Sequence, residues 1–222
     1  MSFNKRNGQR KSRDKCRCRI PELGYYYIVT DAKETEQNYF YGLRNSMPKE
    51  MQQKLVIKVV KDSTVNLVER AKTQASLQPQ YGEMWIIFDR DQVKNFDEII
   101  RQAEKENISV AWSNPCIEIW FSAYFDDMFS CNDSVSCCNT FSTIFERKTK
   151  QKYYKSDVKI YDKLCKYGNE RQAIFISKKK LKEQSDLNNM PSKMYPTTTV
   201  HLLVEEIKVK IENHTNKKEE SF

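Results

Sequence analysis

The run Phe88-Asp89-Arg90-Asp91 closes an apolar segment, residues 84–88 (MWIIF). Residues two apart in an extended segment point to the same side, so this spacing predicts that Asp89 and Asp91 aim into one small volume. Two bare carboxylates there repel each other, and a divalent cation between them removes the repulsion. Mg²⁺ or Mn²⁺ suits such a pair, since it takes one or two carboxylates and keeps its other positions for water and phosphate oxygen. The competing reading is a solvated turn, with Asp89 capping the turn or helix that follows. Asp31 ends a second apolar run, residues 25–30 (YYYIVT). It would complete the metal shell or move a proton; with Glu34 three residues on, it also fits a helix capping box. Glu36 falls in the first helical turn, either as a site acid or as a partner for the helix dipole. Glu118 lies among Ile117, Ile119, Trp120 and Phe121. An acid in such company must be paired, protonated or metal-bound, and a salt bridge to a nearby Lys or Arg is the alternative to a place in the site. Lys33 and Arg90 adjoin these acids and Lys155 follows Tyr153-Tyr154, which makes the three candidate phosphate contacts.

Strand-like and helix-like segments alternate around these acids. Residues 25–30, 55–60 (LVIKVV), 84–88 and 108–112 are β-branched or aromatic runs of strand length. Between them, residues 34–47, 63–75 and 93–106 carry apolar residues at helical spacing, and a further helix is expected over 117–125, opening after Pro115. Four such alternations predict an α/β fold, a parallel sheet with helices on both faces. In an open sheet of this kind ligands gather at the carboxyl ends of the strands, where Asp31 and Asp89 stand. Residues 126–152 are rich in Ser, Asn, Cys and Thr and read as an irregular insertion; 157–186 and 198–213 read as helices. The expected organisation is a basic flexible arm over 1–22, an α/β core over 23–125, and an insertion with C-terminal helices over 126–222.

The chain has 222 residues, 39% of them apolar and 31% charged, with a formal net charge of +8. Eight Lys and Arg fall within residues 5–19, from Lys5 to Arg19. This balance attracts polyanions, nucleic acid above all. No stretch reaches the ~20 apolar residues of a membrane span, and no apolar segment follows the basic start to make a signal peptide; a cytoplasmic location without membrane contact is expected. Seven Cys lack regular spacing and only two His occur, so the cysteines read as reduced thiols rather than a zinc site. His201 reads as a surface or packing residue. The glycine-rich phosphate loops and the Gly-x-Ser-x-Gly elbow are absent.

Four blocks in order resemble the RloB / AbiLii-like family. Thr30-Asp31-Ala32-Lys33-Glu34-Thr35-Glu36-Gln37-Asn38-Tyr39-Phe40 is similar to its Cys-Glu-Gly-x-x-Thr-Glu-x-x-Tyr-Phe run after the first strand. Phe88-Asp89-Arg90-Asp91 resembles its Phe-Asp-x-Asp. The run from Ser113 to Trp120 resembles its Ser-Asn-Pro-x-Phe-Glu-x-Trp, and Pro196 to Val200 a further block. The resemblance implies a Toprim-like, Rossmann-like fold, an Mg²⁺ site built from Asp31, Asp89 and Asp91, and nuclease action on RNA, tRNA among it, or DNA. It also implies an antiphage, abortive-infection or restriction setting with an ATPase encoded nearby; an oligomer is compatible with it. One departure stands out: the family's first acid is Glu followed by Gly, and here it is Asp31 followed by Ala32. That change opens the alternative of a catalytically weakened nucleic-acid-binding or regulatory subunit working with the ATPase.

Overall fold

The computed structural model describes residues 23–219 apart from 33, 78–81, 92, 132 and 188. The basic arm expected over residues 1–22 and the candidate Lys33 lie outside the described residues. Strands β1 (Gly24–Thr30), β2 (Leu55–Lys61), β3 (Glu83–Asp89) and β4 (Ser109–Asn114) run parallel, and β5 (Thr197–Thr198) joins β4 antiparallel, in the order β2-β1-β3-β4-β5. The four parallel strands form where the sequence has buried β-branched and aromatic runs. The two-residue β5 carries no such signal and was not expected; its Thr199 neighbour locks it instead, donating its amide to Trp112 O at 2.8 Å.

Side-chain alternation along the strands divides the core. Tyr26, Ile28, Ile57, Val59, Trp85, Ile87 and Ala111 face one layer of helices, and Tyr27, Val29, Met84, Ile86, Phe88 and Trp112 face the other. The second layer is α3 (Leu67–Leu77) and α4 (Phe96–Lys105), which bring Leu67, Val68, Ala71, Phe96, Ile99, Ile100 and Ala103. The first layer is larger: α1 (Thr35–Ser46), α2 (Lys49–Lys54), α5 (Glu118–Ser122), α6 (Ser134–Thr149), α7 (Ile160–Tyr167) and α9 (Val200–Glu219), with α8 (Glu170–Asp186) against it. One apolar cluster there runs from Tyr26 to Ile207, so residues past 126 pack into the same core as β1. Burying one large apolar side chain contributes about 1.5–3 kcal/mol, and Phe40, Trp120, Phe121, Phe141 and Phe145 are all fully buried in this cluster.

Two expectations need correction here. Residues 126–152 are not an irregular insertion: 134–149 form the helix α6. Asp133 accepts the Ser136 amide at 2.7 Å while Ser136 Oγ accepts the Asp133 amide at 3.1 Å, a reciprocal cap. Cys137, Phe141 and Phe145, four residues apart, form the buried stripe, which the polar composition around them obscures. The helix after Pro115 is also shorter than expected, running from Glu118 to Ser122.

His201, 1% exposed, sits at the start of α9 with Nδ1 3.1 Å from Thr198 O. A carbonyl only accepts, so Nδ1 carries the proton and Nε2, buried without a partner, is the bare nitrogen. Burial pushes its pKa from 6.5 down to about 4. The unfolded chain therefore takes up a proton that the folded one refuses, and stability falls as pH drops from 6.5 through about 4. The full loss amounts to about 3 kcal/mol. His201→Asn, which can still donate to Thr198 O, should flatten this part of the stability–pH curve in urea titrations. An unchanged slope would place the acid sensitivity elsewhere.

Candidate functional site

The strand order reverses between β1 and β3: from β1 the chain moves outward to β2, and from β3 it moves the other way to β4. The crevice beyond the carboxyl ends at such a reversal is where open α/β sheets place ligands. A cavity of about 370 Å³ opens there, lined by Ala32, Glu34, Thr35, Glu36, Asp89, Ile117, Glu118 and Lys155. Each acid arrives on a different element. Asp89 ends β3, Glu36 lies in the first turn of α1, and Glu118 opens α5.

Glu118 is 1% exposed. Its Oε1 accepts from Tyr153 Oη at 3.0 Å and Cys138 Sγ at 3.6 Å, and Lys155 Nζ stands 3.5 Å away. Three donors on one oxygen fix the carboxylate and leave Oε2 buried with no partner. Glu36 Oε2 and Asp89 Oδ1 are in the same condition. Asp89 is half-buried as a residue, yet this oxygen is fully sequestered. Desolvation pushes Glu36 up to about 8, with Asp31 and Glu118 adding repulsion and Lys155 opposing it. Asp89 is held well above the ordinary carboxylate range by burial first, then by Glu36, Glu118 and Asp31.

Asp31 stands at the edge of this group. It does not cap α1, whose N-cap is Glu34 without a side-chain bond. Its Oδ2 instead accepts from Thr64 Oγ1 at 2.6 Å, and burial raises its pKa against that bond.

Asp91 departs from the geometry expected of it. Alternation ends with β3: the chain turns at Asp91, which has φ +21°, so its side chain no longer follows that of Asp89. Its Oδ1 accepts from Ser134 Oγ at 2.6 Å, and it lines a neighbouring cavity with Arg90, Asn114, Asp133 and Ser192. The turn is held by β4, the Arg90 amide donating to Ser113 O at 2.7 Å and the Asp91 amide to Pro115 O at 3.0 Å. Arg90 folds back on its own loop, Nη1 donating to Asp91 O and Val93 O with the guanidinium over the Phe96 ring. The Asn114 side-chain amide donates to Pro191 O at 3.4 Å and Ser192 O at 3.3 Å.

Among the described residues, no three Asp, Glu, His or Cys side chains are placed closely enough to hold a metal ion directly. The donor chemistry nevertheless fits a hydrated divalent cation. Three buried carboxylate oxygens without partners, mutually repelling, are what such an ion neutralises, and bound water spans distances that direct ligation does not. The cysteines among the described residues, 116, 131, 137, 138 and 165, are free thiols.

Sequence reasoning missed Thr64, Ser134, Tyr153 and Cys138 as partners of the acids. Cys138 adjoins the buried stripe of α6 without belonging to it, and its contact with Glu118, like those of Thr64 and Ser134, is long-range and leaves no local signal.

Among the described residues no helix is long and apolar enough to cross a membrane. No curated protein and no solved structure matches the chain. The family comparison does give a match, RloB-like protein, over residues 26–207. That span runs from β1 into α9 and takes in every residue of the carboxylate cavity, and the chain belongs to the RloB-like family.

Proposed function

We propose that the protein is a divalent-cation-dependent phosphodiesterase of the Toprim type, acting on nucleic acid. The observation that carries this reading is the convergence of Glu36, Asp89 and Glu118 on one cavity at the strand-order reversal, each with a buried, unpartnered carboxylate oxygen. Asp89, Glu36 and Glu118 would hold Mg²⁺ or Mn²⁺ with bound water spanning the gaps between them and the ion, and Asp31 would stand beside them. When bound, the cation polarises a phosphoryl oxygen and steadies the departing oxyanion. Glu118 is oriented for this by Tyr153 and Cys138, and Lys155 offers its ammonium to a phosphate at the cavity rim. Asp31, with its raised pKa, is suited to carry a proton to or from the reacting oxygens. The defence setting and an ATPase partner rest on the family alone.

The test is a cleavage assay of the purified full chain on mixed tRNA, single strands and duplex DNA, with Mg²⁺, with Mn²⁺ and with EDTA. Products that EDTA abolishes are expected. Their absence with every cation and strand would reject the reading. Cation binding must also displace protons, because Glu36 titrates near 8 and binds metal only when ionised. Mg²⁺ should therefore raise the melting temperature more above pH 8 than below it, and an equal rise on both sides would dissociate Glu36 from the ion.

One observation favours a second reading, a nucleic-acid-binding subunit that cuts poorly. Asp31 is the shorter acid and is turned onto Thr64, and Asp91 is engaged by Ser134. Binding without products, in the same assay, belongs to this reading.

A further inference from the structure

The segment between α6 and α7 forms one rim of the carboxylate cavity, and its backbone is pinned on both sides. Tyr153 is buried, its ring 4.8 Å from that of Phe141 and 5.7 Å from that of Phe145, with its hydroxyl on Glu118. Two residues on, Lys155 O accepts from Thr35 Oγ1 at 3.2 Å, at the start of α1. Tyr154 lies between these anchors and is forced outward, 60% exposed. Its side chain has no hydrogen bond or ring contact among the described residues. Isolated exposed aromatics are ordinary, but this one stands among cations. Lys150, Lys152, Lys155 and Lys159, within five residues of it along the chain, are all exposed. Lys155 lines the cavity itself, while Lys150, Lys152 and Lys159 have no ion-pair partner among the described residues. The nearby acid Asp157 is already taken by Lys163 at 2.8 Å.

An exposed aromatic ring on a pinned backbone, with lysines beside it in the chain, is the combination that binds unpaired bases: the ring stacks on a base while the ammonium groups track the backbone. A duplex keeps its bases stacked on each other and offers this ring nothing. We infer that Tyr154, flanked by Lys152 and Lys155, is a stacking platform that directs the site to single-stranded nucleic acid, with an unpaired base lodged beside the phosphate entering the Glu36–Asp89–Glu118 cavity. The inference rests on the phosphodiesterase reading for the identity of that phosphate, and its test does not depend on cleavage.

The test titrates the full chain, in EDTA, into oligo-dT and oligo-U strands carrying one fluorescent adenine analogue, and into a duplex of matched sequence. Stacking should quench the analogue in single strands. Tyr154→Ala should weaken single-strand binding by roughly fivefold to a hundredfold, Tyr154→Trp should preserve it, and duplex binding should be unmoved by either. The two sugars separate RNA from DNA as the preferred strand. Single-strand affinity within about twofold of the parent for Tyr154→Ala, or an equal loss on duplex, would overturn the platform. So would failure of the parent chain to bind single strands. Tyr154-dependent binding by a chain that never cuts would leave the platform standing and remove the phosphodiesterase reading.

Discussion

Asp89→Asn should abolish cation-dependent cleavage and, in the same protein, raise the melting temperature measured in EDTA. The first effect follows from charge: the amide cannot replace a carboxylate facing a divalent cation, and losing one preorganised electrostatic group costs on the order of a hundred- to a thousandfold in rate. The second follows from the state of the free cavity. Asp89 Oδ1 has no partner, and burial together with Glu36, Glu118 and Asp31 holds its pKa well above 3.8. The folded chain keeps a proton there that the unfolded chain gives up, so the stability it contributes at low pH is lost as pH rises through the folded value. Asn carries no charge to bury and has nearly the shape of the carboxyl it replaces. Each kcal/mol of repulsion relieved raises the melting temperature by about 2–4 °C in a chain of this size. Calorimetry in EDTA and single-turnover cleavage with Mg²⁺ read the two effects separately. Undiminished cleavage would remove Asp89 from the reaction; a lowered melting temperature would mean that its carboxylate has a favourable partner in the free protein.

Asp31→Glu should increase the cleavage rate, by on the order of a hundredfold. The family pattern that the first block resembles has Glu followed by Gly, where this chain has Asp31 followed by Ala32. One methylene fewer shortens the reach by about 1.5 Å, and misplacement by about 1 Å is enough to cost a rate factor of that order. Asp31 also uses its Oδ2 on Thr64 at 2.6 Å. A longer side chain need not stop at that hydroxyl, and Glu36 and Asp89 lie within electrostatic reach of position 31. Thr64→Val combined with Asp31→Glu should enlarge the gain by freeing the acid, while Asp31→Asn should give none. A rate unchanged or lower in Asp31→Glu would show that the short acid is not the limit, and would move the balance toward a subunit that binds and does not cut.

The sheet was legible in the sequence because β1 and β3 are buried on both faces and need unbroken apolar runs such as MWIIF, while β2 and β4 still carry β-branched and aromatic residues over strand length. β5 was not, since two threonines make no pattern. α6 was hidden by composition: Cys137, Phe141 and Phe145 keep the period of a buried helix, but Ser, Asn and Thr fill the positions between. Glu36, Asp89, Glu118 and Lys155 were each marked by their types and neighbours, and they line one cavity. The parting of Asp89 and Asp91 was not visible, because it depends on a positive φ at Asp91 that nothing nearby in the sequence requires. Thr64 and Ser134 lie 33 and 43 residues from the acids they bond, and pairings over such distances are settled by the assembled sheet.

The donors that fix Glu118 come from beyond the strands. A nascent chain that has left the ribosome only as far as α5 already carries Asp31, Glu36, Asp89 and Glu118, yet has none of Cys138, Tyr153 and Lys155. The cluster holding these elements also needs Val200, Leu203, Val204 and Ile207 from α9. Order of synthesis thus places the acids first and the donors that organise them after, so that the cavity takes shape only once α9 has been made.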